Sequence, residues 1–182
     1  MRPRHLQVVK DEEDTREAPV PTTVEGAFRL YSRYVGAIGL RLLGRVEEID
    51  DFVQDVFLAA HRAITRLQRA GAVKAWLATI SVRTARRRLR MRRLRRFLGL
   101  DDAPEYLDVV DPSLSPEDRA LAAAIYRTLD GLPVEQRLAW TLHHIEGETL
   151  DRVAILCGCS LATAKRRIAR AHQEMRGAWN RG

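Results

Sequence analysis

The sequence predicts an all-α protein made of two small helical domains that are joined by a flexible acidic linker. Apolar residues recur at three- and four-residue steps through residues 25–96 and again through residues 119–178, which is the spacing of amphipathic helices. No useful length of alternating apolar and polar residues indicates a β-strand. Between the two regions the chain is acidic and contains several prolines, so the helical pattern stops there.

The first domain is predicted at residues 25–96, after a disordered tail over residues 1–24 that is mixed in charge and contains prolines. Three helices are expected in it. The first ends near Gly44, the second carries an apolar stripe over residues 49–64, and the third begins near Ala72.

The linker is predicted at residues 97–118, because acidic residues and prolines from residue 101 onward occur without a single basic residue. The second domain, residues 119–178, is predicted to contain four helices. They are expected at about residues 117–130, 134–145, 149–157 and 161–177.

The segment from Thr149 to Ser160 has the features of a helix-turn-helix. Small Ala154 allows a partner helix to approach closely, Gly158 supplies the turn, and the Ser160 hydroxyl can cap the next helix. In this motif the second helix enters the major groove of DNA.

The helix after this turn divides into an apolar and a polar face. The residues predicted to pack inward are Leu161, Ala164, Ile168, Ala171 and Met175. The polar face and its flanks carry Ala162, Thr163, Lys165, Arg166, Arg167, Arg170 and Gln173. This face offers donors for guanine edges and charge for phosphates. The alternative is the solvated face of an ordinary amphipathic helix.

Nine arginines lie between Arg83 and Arg96 without one acidic residue. Their repulsion would destabilise a helix that had no anionic partner, and a phosphate backbone would relieve it. Trp76, which precedes this run, could stack on an unpaired base or could simply be a core residue. A genome rich in GC is an alternative source of the arginines. A nuclear-localisation or membrane-surface function has little support, since this helix lacks a broad apolar face beyond Leu89 and Leu94.

Acidic residues crowd the start of the second predicted helix. They are Glu47, Glu48, Asp50, Asp51 and Asp55. Part of this density complements the helix dipole, and the rest forms a negative patch suited to a basic protein partner.

The 182-residue chain has a net charge of +7 and a pI near 10.1, which favours a polyanionic partner, either nucleic acid or an anionic membrane surface. Two cysteines are too few for a disulfide framework, and no apolar run is long enough to span a membrane or to form a signal peptide. We therefore expect a cytoplasmic protein without membrane insertion.

Catalytic and metal-binding patterns are weak. A zinc site would need His143, His144, Cys157 and Cys159, but the Cys-x-Cys spacing is a poor match to such sites. No phosphate-binding loop, activated serine or carboxylate pair is evident. We expect no cofactor, no metal and no enzymatic activity.

Three stretches together resemble the extracytoplasmic-function (ECF) group of sigma factors in the sigma-70 family. They are Leu42–Phe57, Ala75–Ile80 with the arginines behind it, and the segment from Leu129 to Met175. The resemblance implies a sigma factor that binds core RNA polymerase and directs promoter-specific transcription initiation at minus-ten and minus-thirty-five elements. The acidic linker leaves no room for the intervening domain of larger sigma factors, which assigns the group. The chain departs from the family pattern at Arg83, where an asparagine is common.

The resemblance also implies site residues and partners. Docking on the clamp helices of the polymerase beta-prime subunit is expected from Asp50, Asp51, Gln54 and Asp55. Contacts to the minus-ten element are expected from Trp76, Arg83, Arg86, Arg87 and Arg90. Contacts to the minus-thirty-five element are expected from Ser160, Thr163, Lys165, Arg166, Arg167 and Arg170. The implied partners are core RNA polymerase, through the beta-prime clamp helices and the beta flap, promoter DNA, and an anti-sigma factor.

Two other functions stay open from the residues alone. A stand-alone helix-turn-helix regulator would bind a palindrome as a dimer without polymerase. A helical RNA-binding or adaptor protein would leave the turn motif unused.

Overall fold

The computed structural model describes residues 23–63, 73–100 and 115–179, and every regular element in these ranges is helical. The helices are α1 (Val24–Leu43), α2 (Ile49–Ala63), α3 (Val73–Phe97), α4 (Pro116–Gly131), α5 (Val134–His144), α6 (Leu150–Cys157) and α7 (Leu161–Trp179). A single 3-10 turn, Val46–Glu48, precedes α2. The prediction of an all-α fold is confirmed.

The predicted tail and linker lie mostly outside the described residues. At their described edges, Val24 already belongs to α1, Phe97 to α3, and Pro116 begins α4 inside the stretch expected to be linker. A proline is well suited to that place, because its missing N–H has no partner at the start of a helix.

Local side chains explain where several helices begin and end. The hydroxyl groups that accept a backbone N–H at a helix start belong to Thr23, Ser115, Thr149 and Ser160. Gly44 and Gly158 follow the last residues of α1 and α6 in the left-handed conformation, with φ of 70° and 61°.

The first three helices form one packed unit. Its interior contains residues that are at most 1% exposed, namely Val35, Leu42, Leu43, Phe52, Val56, Leu77 and Val82. They lie on the facing sides of α1, α2 and α3, as expected for amphipathic helices.

The last four helices form the second unit. Leu138, Val153 and Ala164 are fully buried where α5, α6 and α7 meet, and Ala171 and Met175 pack α7 against α4. Ala154 is only 7% exposed at the α6–α7 crossing, which fits the predicted helix-turn-helix.

The two units pack against each other. One apolar cluster contains buried residues from α1, α2 and α3 together with residues from α5, α6 and α7, and α3 lies against both α5 and α6. The local periodicity of the sequence carries no sign of this contact, since it reports only which side of each helix is apolar.

The carboxyl end of α1 is a main point of contact between the units. Arg137 of α5 is 2% exposed, and its Nη2 donates to the carbonyl oxygens of Leu42 at 3.1 Å and Leu43 at 2.8 Å. Arg92 of α3 donates from Nη1 to the Leu43 carbonyl at 3.1 Å. The last carbonyls of a helix have no partner inside the helix, and positive charge is favourable there. Guanidinium groups from outside α1 therefore complete its carboxyl end.

Tyr126 of α4 completes the same junction. Its hydroxyl donates to the Arg41 carbonyl at 3.1 Å, and burial raises the pKa of this phenol to about 12, so it remains a neutral donor. The ring lies against Gly44, where a Cβ atom would stand 2.4 Å from the Tyr126 Cδ1 atom. Arg41 also pairs with Glu146 across the units, with 3.0 Å between Nη2 and Oε2.

Candidate nucleic-acid interface

An open groove between α2 and α3 contains the predicted tryptophan. Its apolar lining consists of Leu58, Ala59, Trp76 and Ile80, and its polar lining consists of Asp55, Arg62, Arg83, Thr84 and Arg87. Trp76 is half-buried and packs against the core of the first unit as well as lining the groove. Both interpretations of this residue, as a core residue and as a residue available to a base, therefore apply to one side chain.

The predicted arginines of α3 differ in how accessible they are. Arg83 is exposed and makes no ion pair within the described ranges, so its charge faces solvent beside the groove. Arg87 is 67% exposed and lies 3.0 Å from the Asp55 carboxylate. An aromatic ring beside exposed guanidinium groups suits an unstacked base and its phosphates.

Arg86 and Arg90 lie in a different environment from Arg83 and Arg87. The Arg86 guanidinium donates from Nη2 to the Cys157 carbonyl at 2.8 Å, at the end of α6. Arg90 lies 2.8 Å from the Glu135 carboxylate of α5. Both side chains therefore contact the second unit in this conformation.

Carboxylates from other elements relieve the repulsion within the arginine helix. Asp55 pairs with Arg88 at 2.7 Å as well as with Arg87, and Glu48 pairs with Arg92 at 2.7 Å. The sequence suggested that a phosphate backbone neutralises these arginines. In the fold, carboxylates of the chain itself neutralise some of them.

The helix-turn-helix is built as the sequence predicts. Thr149 caps α6, Gly158 adopts a φ of 61° in the turn, and the Ser160 Oγ accepts the N–H of Thr163 at 3.2 Å at the start of α7. The Ser160 hydroxyl also donates to the Thr163 Oγ1 at 2.9 Å. Its capping role therefore occupies the hydroxyl that was expected to contact DNA.

The polar face of α7 presents three cationic side chains to solvent. Lys165, Arg166 and Arg170 are exposed and form no ion pair within the described residues. Arg167 is different, because it is 26% exposed and its Nη1 lies 3.4 Å from the Glu135 carboxylate. On the inner face Ala164, Ile168, Ala171 and Met175 are buried as predicted, but Leu161 is 38% exposed. The prediction for Leu161 is wrong because the first residue of the helix lies at its open end, where no facing element covers it.

The predicted acidic patch is only partly free. Asp50, Asp51 and Gln54 are exposed on α2, and the two aspartates lie in its first turn, where the helix dipole favours them. Asp55 is half-buried between two arginines of α3 and so belongs to the packing of the first unit. The exposed part of the patch is Glu47, Asp50 and Asp51, with Gln54 beside them.

Sequence reasoning missed the carboxylates that join the units. Glu135 brings together Arg86, Arg90 and Arg167, although the resemblance assigns these arginines to two different DNA contacts. Asp130 lies 2.8 Å from Arg96. No local pattern marks either acid as a contact between the units, because the partners in the other unit lie tens of residues away along the chain.

Arg137 was also missed, although a signal for it existed. It stands at the helical spacing of Val134, Leu138 and Thr141, so the periodicity of α5 places it on the buried side. Burial lowers the pKa of this guanidinium, while the neighbouring Asp130 carboxylate opposes that effect. Its ion pair with Asp130 keeps the buried charge compensated.

The residues considered for a metal site do not form one. Within the described ranges no group of three or more histidine, cysteine, aspartate or glutamate side chains is placed to hold a metal ion. Cys157 is buried, which raises the pKa of its thiol to about 11. The His143 Nδ1–H donates to the Glu148 carbonyl at 2.9 Å, and the His144 ring packs on Trp140 with 4.8 Å between centroids. Among the described helices, none has both the length and the apolar character needed to cross a membrane.

Comparison with protein families gives two matches. The model of Sigma-70 region 2 matches residues 27–95, and the model of Sigma-70, region 4 matches residues 122–175. The first match covers the groove and the arginine helix, and the second covers the helix-turn-helix.

Several curated proteins are similar in sequence. The chain is 33% identical over 149 residues to the ECF RNA polymerase sigma factor SigM of Mycobacterium tuberculosis, covering 81% of this chain and 72% of SigM. It is 27% identical to the ECF RNA polymerase sigma-E factor of Escherichia coli, covering 69% and 71% of the two chains. It is 29% identical to the "Probable RNA polymerase sigma factor RfaY" of Xanthomonas campestris, covering 86% of this chain but only 42% of that longer protein.

Several solved structures share the fold, among them the following two. The sigma factor RpoE in complex with the anti-sigma factor NepR, from Bartonella quintana, matches with a TM-score of 0.60 and 22% identity, covering 86% of this chain and 96% of that one. CnrH in complex with the cytosolic domain of CnrY matches with a TM-score of 0.58 and 24% identity, covering 87% of this chain and 90% of the CnrH chain.

Proposed function

The chain belongs to the ECF group of sigma-70 RNA polymerase sigma factors, and on that premise we propose that it binds core RNA polymerase and directs transcription initiation at promoters with minus-ten and minus-thirty-five elements. The observation that carries the proposal is the presence of two separate cationic surfaces on one chain. One is the groove between α2 and α3, and the other is the polar face of α7.

The groove is the proposed minus-ten site. Trp76 offers an aromatic surface to an unpaired base, and exposed Arg83 and Arg87 offer charge to the phosphates on either side of that base. Arg86 and Arg90 continue the same helix and would add phosphate contacts once they are released from the second unit.

The helix-turn-helix is the proposed minus-thirty-five site. Arg166 and Arg170 are one helical turn apart on the exposed face, a spacing from which two guanidinium groups reach into one groove. Lys165 and Arg167 flank them and suit phosphates, and Thr163 and Ser160 lie at the amino end of α7, where backbone N–H groups also favour phosphate.

The exposed acidic residues of α2 are the proposed dock for core polymerase. Asp50, Asp51 and Gln54 form a negative surface without a partner in the described parts of the chain, so a basic helix pair such as the beta-prime clamp helices can bind there. The second unit is proposed to bind the beta flap. Holding both units on one enzyme raises the effective concentration of each for DNA, so neither needs high affinity alone.

The remaining features follow from this role. We propose that the chain acts in the cytoplasm, where polymerase and promoter DNA are, and that it has no enzymatic activity of its own. Because one of the solved structures with this fold is a sigma factor in complex with an anti-sigma factor, we also propose an anti-sigma factor as a partner.

The test is run-off transcription with purified core polymerase on fragmented genomic DNA from the organism that encodes the chain. We expect transcripts with a common upstream sequence at two spaced elements, all of them absent when core polymerase is used alone. If adding the chain yields no transcript above the core-alone background, the proposed function is wrong.

A further inference from the structure

We propose that Asp55 reads an unpaired promoter base in the groove between α2 and α3 and makes this site selective for cytosine or adenine. The inference rests on the proposed function, because it names the bases that the proposed minus-ten site accepts. It also gives Asp55 a role different from the contact with core polymerase that its place in the sequence predicts.

The Asp55 carboxylate uses one of its two oxygens within the fold. Arg87 donates from Nη2 to the Asp55 Oδ2 at 3.0 Å, and Arg88 donates to the same oxygen from Nη2 at 2.7 Å and from Nε at 3.2 Å. The Oδ1 atom accepts no hydrogen bond from the residues that the structure describes. The side chain is 32% exposed and lines the groove. Two arginines therefore hold one oxygen, and the other is available to a ligand.

The groove around this carboxylate can hold a flat base. Its volume is about 500 Å³, in the range of sites that bind small organic molecules. Trp76 and Leu58 give it apolar surface, and Leu58 is 56% exposed although it is a large apolar residue. Proteins that bind an unpaired base hold its faces against such side chains and read its edge with hydrogen bonds.

The charges in the groove separate two roles. Exposed Arg83 and Arg87 suit the phosphates on either side of the base. Asp55 is the one acidic group among the described residues that line the groove, and a carboxylate repels phosphate. Contacts to phosphate alone give no reason for an acid at this place, whereas a contact to the edge of a base does.

The free oxygen discriminates between bases because an ionised carboxylate only accepts hydrogen bonds. Cytosine and adenine each present an exocyclic amine, at N4 and N6, and aspartate is suited to accept from the cytosine amine. The ring N–H of thymine lies between two carbonyl oxygens that a carboxylate repels. The two adjacent N–H groups of guanine match a carboxylate with both oxygens free, and the Asp55 Oδ2 already has three donors. Cytosine and adenine are therefore the bases that fit.

The test uses the full chain bound to core polymerase and a promoter that run-off transcription has identified. The probe is a forked DNA whose non-template strand is single-stranded over the minus-ten element, so the cost of breaking base pairs does not enter. Each position of this strand carries each of the four bases in turn, and fluorescence titration measures the affinity. We expect one position at which cytosine or adenine binds about tenfold more tightly than thymine or guanine.

Asp55→Asn should reverse the preference at that position. Guanidinium groups have only donors, so the amide oxygen must face Arg87 and Arg88, and the amide NH₂ is left for the base. A donor at this place suits the thymine O4 or the guanine O6. If Asp55→Asn weakens binding equally for all four bases, or leaves the preference unchanged, the inference is wrong.

The matched control is Glu48→Gln. It also neutralises a carboxylate that pairs with an arginine of α3, since Glu48 lies 2.7 Å from the Arg92 Nη2, but Glu48 does not line the groove. This variant should keep the preference for cytosine or adenine. A reversed preference in the control would show that the loss of a structural ion pair is sufficient, and would overturn the role of Asp55.

Base analogues test the contact without a change in the protein. Pyrimidin-2-one in place of cytosine, or purine in place of adenine, lacks the amine and should lower the affinity of the unchanged chain about tenfold. The same analogue should have little further effect with Asp55→Asn, because the two changes remove one contact. No loss of affinity with the unchanged chain would overturn the inference even if the variant folds poorly. Run-off transcripts without any selective position would overturn this inference alone, whereas no transcript at all would overturn the proposed function as well.

Discussion

The Arg137 Nη2 atom lies 2.8 Å from the carbonyl oxygen of Leu43, so a side chain of the helix-turn-helix unit completes the carboxyl end of a helix in the other unit. The same guanidinium pairs with Asp130, and both side chains are at most 6% exposed. Asp130 also pairs with Arg92 and Arg96, so Arg137 is one of three arginines that compensate its buried charge.

Arg137→Met should destabilise the chain. It removes the donors to the Leu42 and Leu43 carbonyls and one of the arginines that pair with Asp130, so we expect the free energy of unfolding to fall by about 1–3 kcal/mol, the cost of leaving buried acceptors unsatisfied. Urea denaturation followed by circular dichroism measures it. The control is Arg127→Met, at an exposed position of α4, which should change stability by less than about 0.5 kcal/mol. Equal stability of the two variants would show that the junction contributes nothing.

Gly44→Ala should also weaken the junction. The new methyl group would stand 2.4 Å from the Tyr126 ring, and the φ of 70° is unfavourable for alanine. We expect a loss of about 2–4 kcal/mol, the sum of left-handed strain and a displaced aromatic ring. Gly147→Ala is the matched control, because its φ is 71° and no atom lies within 4 Å of the added Cβ. The difference between the two variants in thermal or urea unfolding isolates the ring contact, and no difference would contradict it.

Arg166→Ala with Arg170→Ala should change promoter choice without changing the fold. Each guanidinium that reads a guanine contributes about 1–3 kcal/mol of discrimination, so the double variant should lose about tenfold or more in transcription from its best promoters. Run-off transcription with core polymerase measures this loss. Arg176→Ala removes an exposed arginine from the last turn of the same helix and should retain the wild-type pattern. A double variant with unchanged promoter preference would exclude this face as the reading surface.

Charge reversal at Asp50 and Asp51 should weaken binding to core polymerase. We expect at least a tenfold loss of affinity, about 1.4 kcal/mol, by fluorescence titration against core enzyme without DNA. Asp55 is left unchanged because its reversal would also repel Arg87 and Arg88.

The control for this charge reversal changes Glu117 and Asp118 to arginine. These two acids are exposed in the first turn of α4, so the control makes the same change in charge and removes a similar interaction with a helix dipole. Equal losses in the two double variants would mean that net charge, and not the α2 surface, determines the affinity.

Stability should fall as the solution is acidified from pH 7 to pH 5. Burial, followed by the nearby His143 and His172, lowers the pKa of His144 from 6.5 to about 4. The unfolded chain therefore takes up a proton at His144 below about pH 6.5 that the folded chain takes up only near pH 4, so stability is lost across this window as pH falls. Urea unfolding at several pH values measures the effect.

His144→Gln should reduce that dependence on pH, since glutamine does not titrate. His61→Gln, on the exposed end of α2, should leave the wild-type dependence in place. If the two variants respond to pH in the same way, His144 is not the group responsible.

Much of the local structure was predictable because short-range rules determine it. The starts of α6 and α7 follow from the hydroxyl groups of Thr149 and Ser160, and the turn between them follows from Gly158. The family was predictable from three stretches of residues, and the family models and relatives confirm that assignment.

Contacts between distant residues were not predictable in the same way. The sequence placed Asp55 in a patch of acidic residues suited to a protein partner. Its pairing with Arg87 and Arg88 depends on how α2 crosses α3. Glu135 contacts arginines that lie 32 to 49 positions away in the sequence, and only the three-dimensional arrangement of α3, α5 and α7 brings them together. Periodicity identifies the buried side of a helix, but it does not identify which side chains of other helices contact that side.

The burial of the Cys157 thiol determines how this group responds to oxidants. Burial raises the pKa of this thiol to about 11, so little of it is thiolate at neutral pH, and the thiolate is the form that attacks peroxides and disulfides. The side chain is also packed beneath α3 and α7. Oxidative stress would therefore leave this sulfur reduced, and any response of the chain to oxidants has to begin at another group.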